Sequence, residues 1–288
     1  MAITVNTNIP SLTAQKSLNN ATSKMNTAME RMTTGLKINS SKDDAAGMAV
    51  ANKLDYKISS LNVAQSNGQM GTSMLDTAEG VLNVINDNLV RIRDLTEQAA
   101  NGTYGSDAMT AIETEVQARM DEITRLAESS EFNGKILFNP NDADKNGIKE
   151  NIKLQVGINH KDQSVIELDK KLFADAKAST ILKVTGGKVA DKYENDSTAR
   201  AFLENIDKAL EDVTSRTTLL GGYQQRIISA MDAAGVMETN LTSAKSLIED
   251  ADIAEESSNY IKQQILQQTS ASLLATANQA PSIALNLV

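Results

Sequence analysis

The 288-residue chain contains no cysteine and no tryptophan, only one histidine and three prolines, and its aromatic content is 3 %. The absence of cysteine excludes disulfides, thiolate metal ligands and a cysteine nucleophile. A single histidine makes most histidine-dependent metal sites and catalytic triads unlikely to form. Any hydrophobic core must therefore be built from Leu, Ile, Val, Met and Ala.

Basic residues are also scarce relative to acidic ones, with 28 against 37 and a net charge of −9. This balance argues against a nucleic-acid partner, whose phosphates require a basic surface. The chain has no run of about 18 apolar residues, so no membrane insertion is expected. The N-terminus lacks a basic start followed by an apolar run, so we expect no cleaved signal peptide.

Apolar residues recur at alternating spacings of three and four in several long stretches, and the prolines at 10, 140 and 281 leave two long proline-free segments. This period is typical of long helices packed along a seam. The sequence therefore predicts a mainly α fold, an elongated antiparallel helical bundle or coiled coil with a small β-hairpin region. The stretches are Leu18, Ala21, Met25, Ala28 and Met32; Leu75, Ala78, Leu82, Ile85, Leu89 and Ile92; and a series from Leu203 to Ile248.

Local signals place several elements. Residues 41–44 (SKDD) predict an N-cap and an acidic first turn for a helix over about 44–100, which at 1.5 Å per residue is about 85 Å long. A shorter amphipathic helix follows Gly105. Residues 152–158 alternate apolar and polar, and with 165–168 they predict a β-hairpin. Residues 170–196 are interpreted as a small insert.

Motifs for chemistry are weak. Asp142, Asp144 and Asn146 match the first half of an EF-hand loop, but Lys153 stands where that loop needs its bidentate glutamate, so a polar turn is the favoured interpretation. His160 is expected in a solvated hairpin loop. No acid–base pair is evident, and we predict no catalytic residue, no metal site and no cofactor.

The two ends carry apolar stripes and little charge: the first charged side chain is Lys16, the last is Lys262, and residues 263–288 have none. Ordering an isolated helix pair costs about 1–2 kcal/mol per residue and buries little surface. Many copies side by side bury more, and without charge they meet no desolvation penalty. The ends are therefore predicted to assemble through Leu18, Met25, Met32, Leu36, Ile261, Ile265, Leu273 and Leu274.

Several blocks of the sequence resemble those of bacterial flagellins. They are 2–12 (AITVNTNIPSL), 35–47 (GLKINSSKDDAAG), 89–95 (LVRIRDL), 98–102 (QAANG), 132–135 (FNGK), 154–157 (LQVG), 219–221 (LLG), 240–244 (NLTSA), 248–253 (IEDADI), 264–268 (QILQQ) and 275–281 (ATANQAP). The resemblance covers roughly 1–140 and 197–288 and fails in 170–196, where larger flagellins carry outer domains.

The resemblance implies a filament subunit, not an enzyme, that is exported unfolded through the flagellar secretion apparatus to an extracellular filament. It implies an inner terminal coiled-coil domain of 1–43 and 254–288, a helical rod domain with a β-hairpin of 44–169 and 197–253, and a reduced outer insert of 170–196. Its implied partners are further copies of the chain, an export chaperone on the C-terminal helix, the filament cap and the hook junction proteins.

Recognition by a host innate receptor is a further implication of the resemblance, through rod residues matching Arg91, Leu95 and Glu115, although Asp94 stands where glutamate is usual. Three alternatives remain open at this point. They are a hook–filament junction protein, which shares the terminal helices, a coiled-coil adaptor that does not polymerise, and an enzyme using carboxylates of the insert.

Overall fold

The structure, a computed structural model, describes residues 7–141 and 146–285, and the side chains of all of these except 185 and 280–285. The chain is mainly α, as predicted. The α-helices are α1 (Ile9–Thr34), α2 (Ala45–Ala99), α3 (Ser106–Ser129), α4 (Ala178–Ile181), α5 (Asp196–Glu249) and α6 (Ile253–Leu285). The strands are β1 (Glu131–Phe132), β2 (Lys135–Ile136), β3 (Ile152–Gln155) and β4 (Val165–Leu168).

The chain forms two compact units. The first takes both ends of the chain, up to Ile58 and from Thr239, and the second is Ser59–Glu238. The second unit holds the main hydrophobic core, and the first holds the pair formed by α1 and α6. The three-domain division implied by the resemblance stays a prediction.

In the second unit, α2 and α5 lie antiparallel along the predicted seam. Polar pairs mark the register, since partner numbers on α5 fall as those on α2 rise. Gln65 bonds Glu238 at 3.1 Å, Asp76 bonds Gln224 at 2.8 Å and Arg93 bonds Asp207 at 2.8 Å. The predicted α2 residues Leu75, Ala78, Leu82, Ile85, Leu89 and Ile92 are all fully buried. Every repeat places an apolar side chain on the same face of α2, as the predicted seam requires.

Helix α2 begins one residue later than predicted, and the acidic first turn is wrong. The Asp44 carboxylate accepts hydrogen bonds from the backbone N–H groups of Ala46 and Gly47 at 3.0 and 2.9 Å. Asp44 is therefore the N-cap itself, satisfying two donors that the first helical turn leaves unpaired.

The predicted hairpin is present as β3 and β4, which pair antiparallel with Ile152 opposite Leu168 and Gln155 opposite Val165. It lies against α2 at a glycine: a Cβ added at Gly71 would lie 2.6 Å from Leu154 Cδ1. The Asn67 side-chain amide also donates to the carbonyl of Gln155 at 3.1 Å. Because Gly71 has no side chain, Leu154 of the hairpin can pack directly against the backbone of α2.

A second hairpin, β1–β2, was not predicted. Its turn is Asn133–Gly134, with φ of 49° and 78°. An Asn-Gly pair is the usual occupant of a tight turn in which both central residues have positive φ. The signal was therefore in the sequence, but the two flanking strands are only two residues each.

The segment 170–196, interpreted as an insert, contributes to the core of the second unit. Leu172, Phe173, Ala176, Leu182, Val189 and Tyr193 are among its buried side chains. The rings of Phe173 and Phe138 lie 6.5 Å apart, and those of Tyr193 and Phe202 lie 6.1 Å apart. The segment consists of short 3₁₀ turns and the four-residue α4, so its apolar residues have no regular spacing. Their burial could therefore not be predicted from a hydrophobic period.

Tyr193 ties this segment to α2 through a short buried hydrogen bond of 2.5 Å between its hydroxyl and that of Thr96. Burial raises the pKa of Tyr193 to about 12, with a smaller contribution in the same direction from Glu113, while the Thr96 hydrogen bond opposes the rise. The neutral phenol is therefore the form that the folded state favours.

Candidate functional site: the paired terminal helices

Helix α1 is defined at both ends by local chemistry. The Asn8 side chain caps it by accepting from the backbone N–H of Ser11 at 3.1 Å, and Pro10 occupies the first turn, where its missing donor costs nothing. Gly35 ends it with φ of 75°, and its N–H donates to Arg31 O at 2.8 Å. A left-handed glycine here closes the helix with little strain.

Helices α1 and α6 lie antiparallel along their lengths. The Asn8 amide donates to Ala277 O at 2.8 Å, and the Gln267 amide donates to the Thr22 hydroxyl at 3.0 Å. At the other end Arg31 and Glu256 form an ion pair at 2.9 Å, with the Glu256 side chain only 11 % exposed. The two terminal segments, far apart in sequence, therefore form one helical pair.

Backbone hydrogen bonds join the segments next to the C-terminus of α1 and the N-terminus of α6. The Lys37 N–H donates to Glu249 O at 2.6 Å, and the Ala251 N–H donates to Gly35 O at 2.9 Å. The Lys245 ammonium adds an ion pair to Asp55 at 2.7 Å, and the hydrogen bond to Asp55 raises the pKa of Lys245. The two turns that follow α1 and α5 are thereby joined directly.

On α1, the face turned towards α6 consists mostly of apolar side chains. Leu18, Met25 and Met32 are half-buried on it, and Leu36 is half-buried in the turn that follows. The predicted residues of α1 therefore share one face of the helix, as their spacing predicts, and their role in assembly stays a prediction. The covered positions of the helix are Ser11, Ala14, Leu18, Ala21, Thr22, Met25, Thr27, Ala28, Arg31 and Met32.

On α6, the face turned towards α1 is mostly polar. Its covered positions are Glu256, Ser257, Asn259, Tyr260, Gln263, Gln267, Ser270, Leu274 and Ala277. Of the four predicted α6 residues, only Leu274 is on this face. Ile261, Ile265 and Leu273 remain 55 %, 57 % and 58 % exposed. Ile265 lies two residues from both Gln263 and Gln267, roughly 200° around the helix, and so on the opposite side.

Six of the exposed apolar side chains of the pair form what we call the outer face, defined as Ile9, Leu12, Ile261, Ile265, Leu266 and Leu273. Ile9 and Leu12 are 60 % and 58 % exposed, and Leu266 is 44 % exposed. From 263 onwards the sequence of α6 carries no charge. Several exposed aliphatic side chains on one sparsely charged helical pair are typical of a surface that binds another macromolecule.

The three residues linked by resemblance to an innate receptor have unequal exposure. Arg91 and Glu115 form an ion pair of 2.8 Å on the surface, with side chains 44 % and 38 % exposed. Leu95 is 3 % exposed and belongs to the core. It therefore offers almost no surface in the folded chain.

The residues described in the structure include no group of three or more His, Asp or Glu side chains that could hold a metal ion. Asp142 and Asp144, which suggested half of an EF-hand loop, lie outside the described residues. His160 is exposed in the loop between β3 and β4. Within the described ranges, no helix combines the length and apolar content that crossing a membrane would require.

Comparison with known proteins identifies the family. A model of the bacterial flagellin N-terminal helical region matches residues 5–143, and a model of the bacterial flagellin C-terminal helical region matches residues 203–288. The chain belongs to the bacterial flagellins. The resemblance drawn from the sequence blocks is thereby confirmed over both halves.

Full-length flagellins from other bacteria align with this one from end to end. A flagellin of Xenorhabdus nematophila is 36 % identical, with both chains covered completely. Polar flagellin F of Vibrio parahaemolyticus is 31 % identical, also with complete coverage of both. The flagellar filament 33 kDa core protein of Treponema phagedenis is 31 % identical over 99 % of each.

Among solved structures, a putative flagellar hook-associated protein from Vibrio parahaemolyticus is similar at a TM-score of 0.59 and 18 % identity. The match covers 72 % of this flagellin and 99 % of that chain. At this identity the likeness concerns the fold alone. It agrees with long antiparallel helices that carry a small β region.

Proposed function

We propose that this flagellin is a structural subunit that polymerises into the flagellar filament, and that the paired terminal helices are its assembly element. The observation that carries the proposal is the arrangement of α6. Its polar face lies against α1, while Ile261, Ile265 and Leu273 stay more than half exposed. A helix stabilised only within its own chain would normally turn its apolar side inward.

Neighbouring copies of the same chain suit the outer face. An apolar surface that carries few charges can be covered by further copies of the same chain while little unpaired charge is buried. Contacts between different patches of identical subunits repeat without closing when the rotation does not return to the start, and a helical filament results. Each added subunit then covers aliphatic side chains that the single chain leaves in water, at about 25 cal/mol per Å² of apolar area.

The second unit serves as the rod that the assembled ends hold. Its core is closed by α2, α3, α5 and the segment 170–196, and needs no neighbour to be complete. The proposal includes no chemical step and no cofactor. Bending and torque are transmitted through packed helices, whose seams give stiffness along the rod.

We further propose, from the family membership, that the subunit is exported unfolded through the flagellar secretion apparatus and works outside the cell without a cleaved signal peptide. Its proposed partners are an export chaperone on α6 and, at the filament ends, the cap and hook junction proteins. The exposed apolar side chains of α6 support the chaperone, since they would otherwise face water before assembly.

Recognition by a host innate receptor is proposed for the surface around Arg91 and Glu115. These two side chains are exposed and satisfy each other in the free chain, so a receptor must supply competing partners for both. An exposed ion pair contributes only about 0–1 kcal/mol, and opening it therefore costs little. Leu95 takes part only by holding α2 in place.

A junction protein and an adaptor remain the competing functions. Matches to both flagellin family models and end-to-end alignment with flagellins favour a filament subunit over a junction protein. An adaptor differs physically, because its outer face would bind another protein and not further copies of itself.

Removing the terminal helices tests the proposal against the adaptor. We compare the full chain with a version comprising residues 44–253, which keeps the complete core of the second unit. After seeding with filament fragments, the full chain is expected to sediment as polymer and the shortened chain to stay folded and monomeric. Equal sedimentation of the two, with no polymer from either, would refute the proposal.

A further inference from the structure

Four asparagines in the chain are followed directly by glycine: Asn67, Asn101, Asn133 and Asn146. At such a pair the glycine backbone nitrogen can attack the asparagine side-chain amide, because glycine has no side chain to block the approach. The reaction requires the backbone to rotate until this nitrogen faces Cγ. Backbone structure at each pair therefore decides which asparagine can react.

The Asn67–Gly68 pair is held inside α2. Its glycine is buried, and a Cβ there would lie 2.7 Å from Met231 Cγ. The Asn67 amide is engaged with Gln155 O at 3.1 Å. Attack would require helical φ and ψ to be abandoned in the middle of a 55-residue helix, with loss of its hydrogen bonds.

The Asn133–Gly134 pair forms the tight turn of the β1–β2 hairpin. The Gly134 N–H donates to the Glu131 carboxylate at 3.0 Å. Before attack this nitrogen must lose its proton, and a carboxylate beside it disfavours the resulting negative charge. The pairing of Glu131 with Ile136 and of Phe132 with Lys135 also fixes the turn.

The Asn146–Gly147 pair is fixed by its own backbone contacts. Asn146 O accepts from the Ile136 N–H at 3.1 Å, and Gly147 bridges to Ile136. A Cβ at Gly147 would lie 2.2 Å from Asn139 O and 2.7 Å from the Cα of Pro140. Rotation of the peptide between the two residues would therefore break the hydrogen bond from Ile136 and the bridge.

The Asn101–Gly102 pair differs from the other three. Both residues are exposed in the loop between α2 and α3. The Gly102 N–H and the Asn101 side-chain amide have no hydrogen-bond partner within 7–141 and 146–285. Two backbone bonds shape the loop, from Asn101 N–H to Gln98 O at 3.1 Å and from Tyr104 N–H to Asn101 O at 3.3 Å, and neither engages the reacting groups.

We propose that Asn101 is a site of spontaneous modification in the folded chain, converting to aspartate and isoaspartate while the other three asparagines are protected. The Gly102 nitrogen gives up its proton and bonds to Asn101 Cγ, and the bond from Cγ to the amide nitrogen breaks. That nitrogen leaves as ammonia with the proton, and a cyclic imide remains. Water then opens the ring at either carbonyl to give the two products.

The conversion places a new carboxylate on an already acidic surface. Asp191, Glu194 and Asp196 line the same groove as Asn101. The Asp196 carboxylate also faces the loop, 3.7 Å from the position of a Cβ on Gly102, but it is shared with Arg200 and half-exposed to solvent. Its charge is therefore screened, and it hinders the reaction less than Glu131 does, because the Glu131 carboxylate accepts a hydrogen bond from the reacting N–H itself.

Peptide mapping by mass spectrometry tests the proposal on the full chain. The folded, unpolymerised protein and the same protein in concentrated guanidinium chloride are incubated at mildly alkaline pH, quenched in acid and digested. In the denaturant all four asparagines are expected to react at similar rates. In the folded chain Asn101 keeps a rate within about threefold of its denatured one, and the other three slow at least about tenfold, because their reaction requires local opening.

Gly102→Ala provides the matched variant. No positive φ is required at Gly102 and an added Cβ meets no atom closer than 3.7 Å, so this variant folds normally. We expect it to slow the reaction of Asn101 about tenfold or more, equivalent to about 1.4 kcal/mol of barrier, and to leave the other sites unchanged. A folded chain in which Asn101 reacts no faster than the other three, or a variant with an unchanged rate, would overturn the proposal.

Discussion

The outer face makes a quantitative prediction about assembly. Replacing Ile261 and Ile265 together by alanine removes two exposed aliphatic side chains from α6 and breaks no hydrogen bond made by either side chain. The polar face of α6 against α1 is untouched, so the helical pair keeps its internal contacts. We therefore expect the double variant to fold as the unmodified chain does and to polymerise less well.

The size of the effect follows from exposure. Complete burial of an isoleucine side chain is worth about 1.5–3 kcal/mol, and these two are 55 % and 57 % exposed in the single chain. Covering the remainder in a filament yields about 1 kcal/mol per site and about 2 kcal/mol for the two. At about 1.4 kcal/mol per tenfold, the critical concentration for polymerisation should rise roughly 30-fold.

Seeded polymerisation followed by sedimentation measures the critical concentration directly. The matched control is Gln264→Ala with Gln268→Ala, which shortens two exposed polar side chains on the same helix. The control should change the critical concentration by less than about threefold, since it removes little apolar surface. Circular dichroism of the dilute proteins should be alike in all three.

The reasoning would be refuted by a double isoleucine variant that polymerises at the same concentration as the unmodified chain. It would equally be refuted if the glutamine control weakened polymerisation as much as the isoleucine variant does. Either result would mean that the outer face of α6 is not the surface that neighbours cover.

Three further predictions concern the second unit and are measured by chemical denaturation. Because the phenol of Tyr193 ionises at a pKa near 12 when folded and near 10 when unfolded, stability should fall as pH rises from about 10 to 12, by up to about 2–3 kcal/mol, and Tyr193→Phe should lack this fall. Gly147→Ala should destabilise through its backbone clash, whereas Gly80→Ala, in open space within α2, should stabilise by about 0.5–1 kcal/mol. Phe173→Ala should cost about 3–5 kcal/mol if 170–196 is part of the core, and a loss below about 1 kcal/mol would contradict that assignment.

The long helices were predictable because their signal is repeated many times. Each of the predicted positions on α2, from Leu75 to Ile92, is fully buried, and those on α5 alternate between half-buried and buried from Leu203 to Ala234 and are half-buried beyond it. A single polar intrusion such as Gln224 or Lys245 does not cancel a period that is maintained over 14 positions from Leu203 to Ile248.

The contribution of 170–196 to the core could not be predicted in the same way. Its buried residues sit in turns of three or four residues, where neither a period of 3.6 nor of 2 can be established. Tyr193 is buried against Phe202, and its hydroxyl is bonded to that of Thr96, 97 residues earlier in the chain. Such a long-range pairing leaves no local trace in the sequence.

The assembly residues show where periodicity stops being informative. Ile261, Ile265, Leu273 and Leu274 were grouped as one stripe, but the structure divides them between two sides of α6. A periodic apolar stripe predicts which residues share a surface of a helix. It does not predict whether another part of the same chain or a second molecule covers that surface. Only the partner helix decides this, and α1 takes the side of α6 that carries Gln263 and Gln267.

That choice has a physical consequence for the free subunit. The α6 side of the seam is mostly polar and can be hydrated, so separating α1 from α6 exposes apolar surface mainly on α1, from Leu18, Met25 and Met32. The pair therefore gains less from burial in a single chain than two apolar faces would gain. The same seam, once its outer face is covered by neighbours, is removed from water and its hydrogen bonds become costly to break. Order in the terminal helices and polymerisation should therefore rise together, because each neighbour stabilises the pair that the next neighbour must bind.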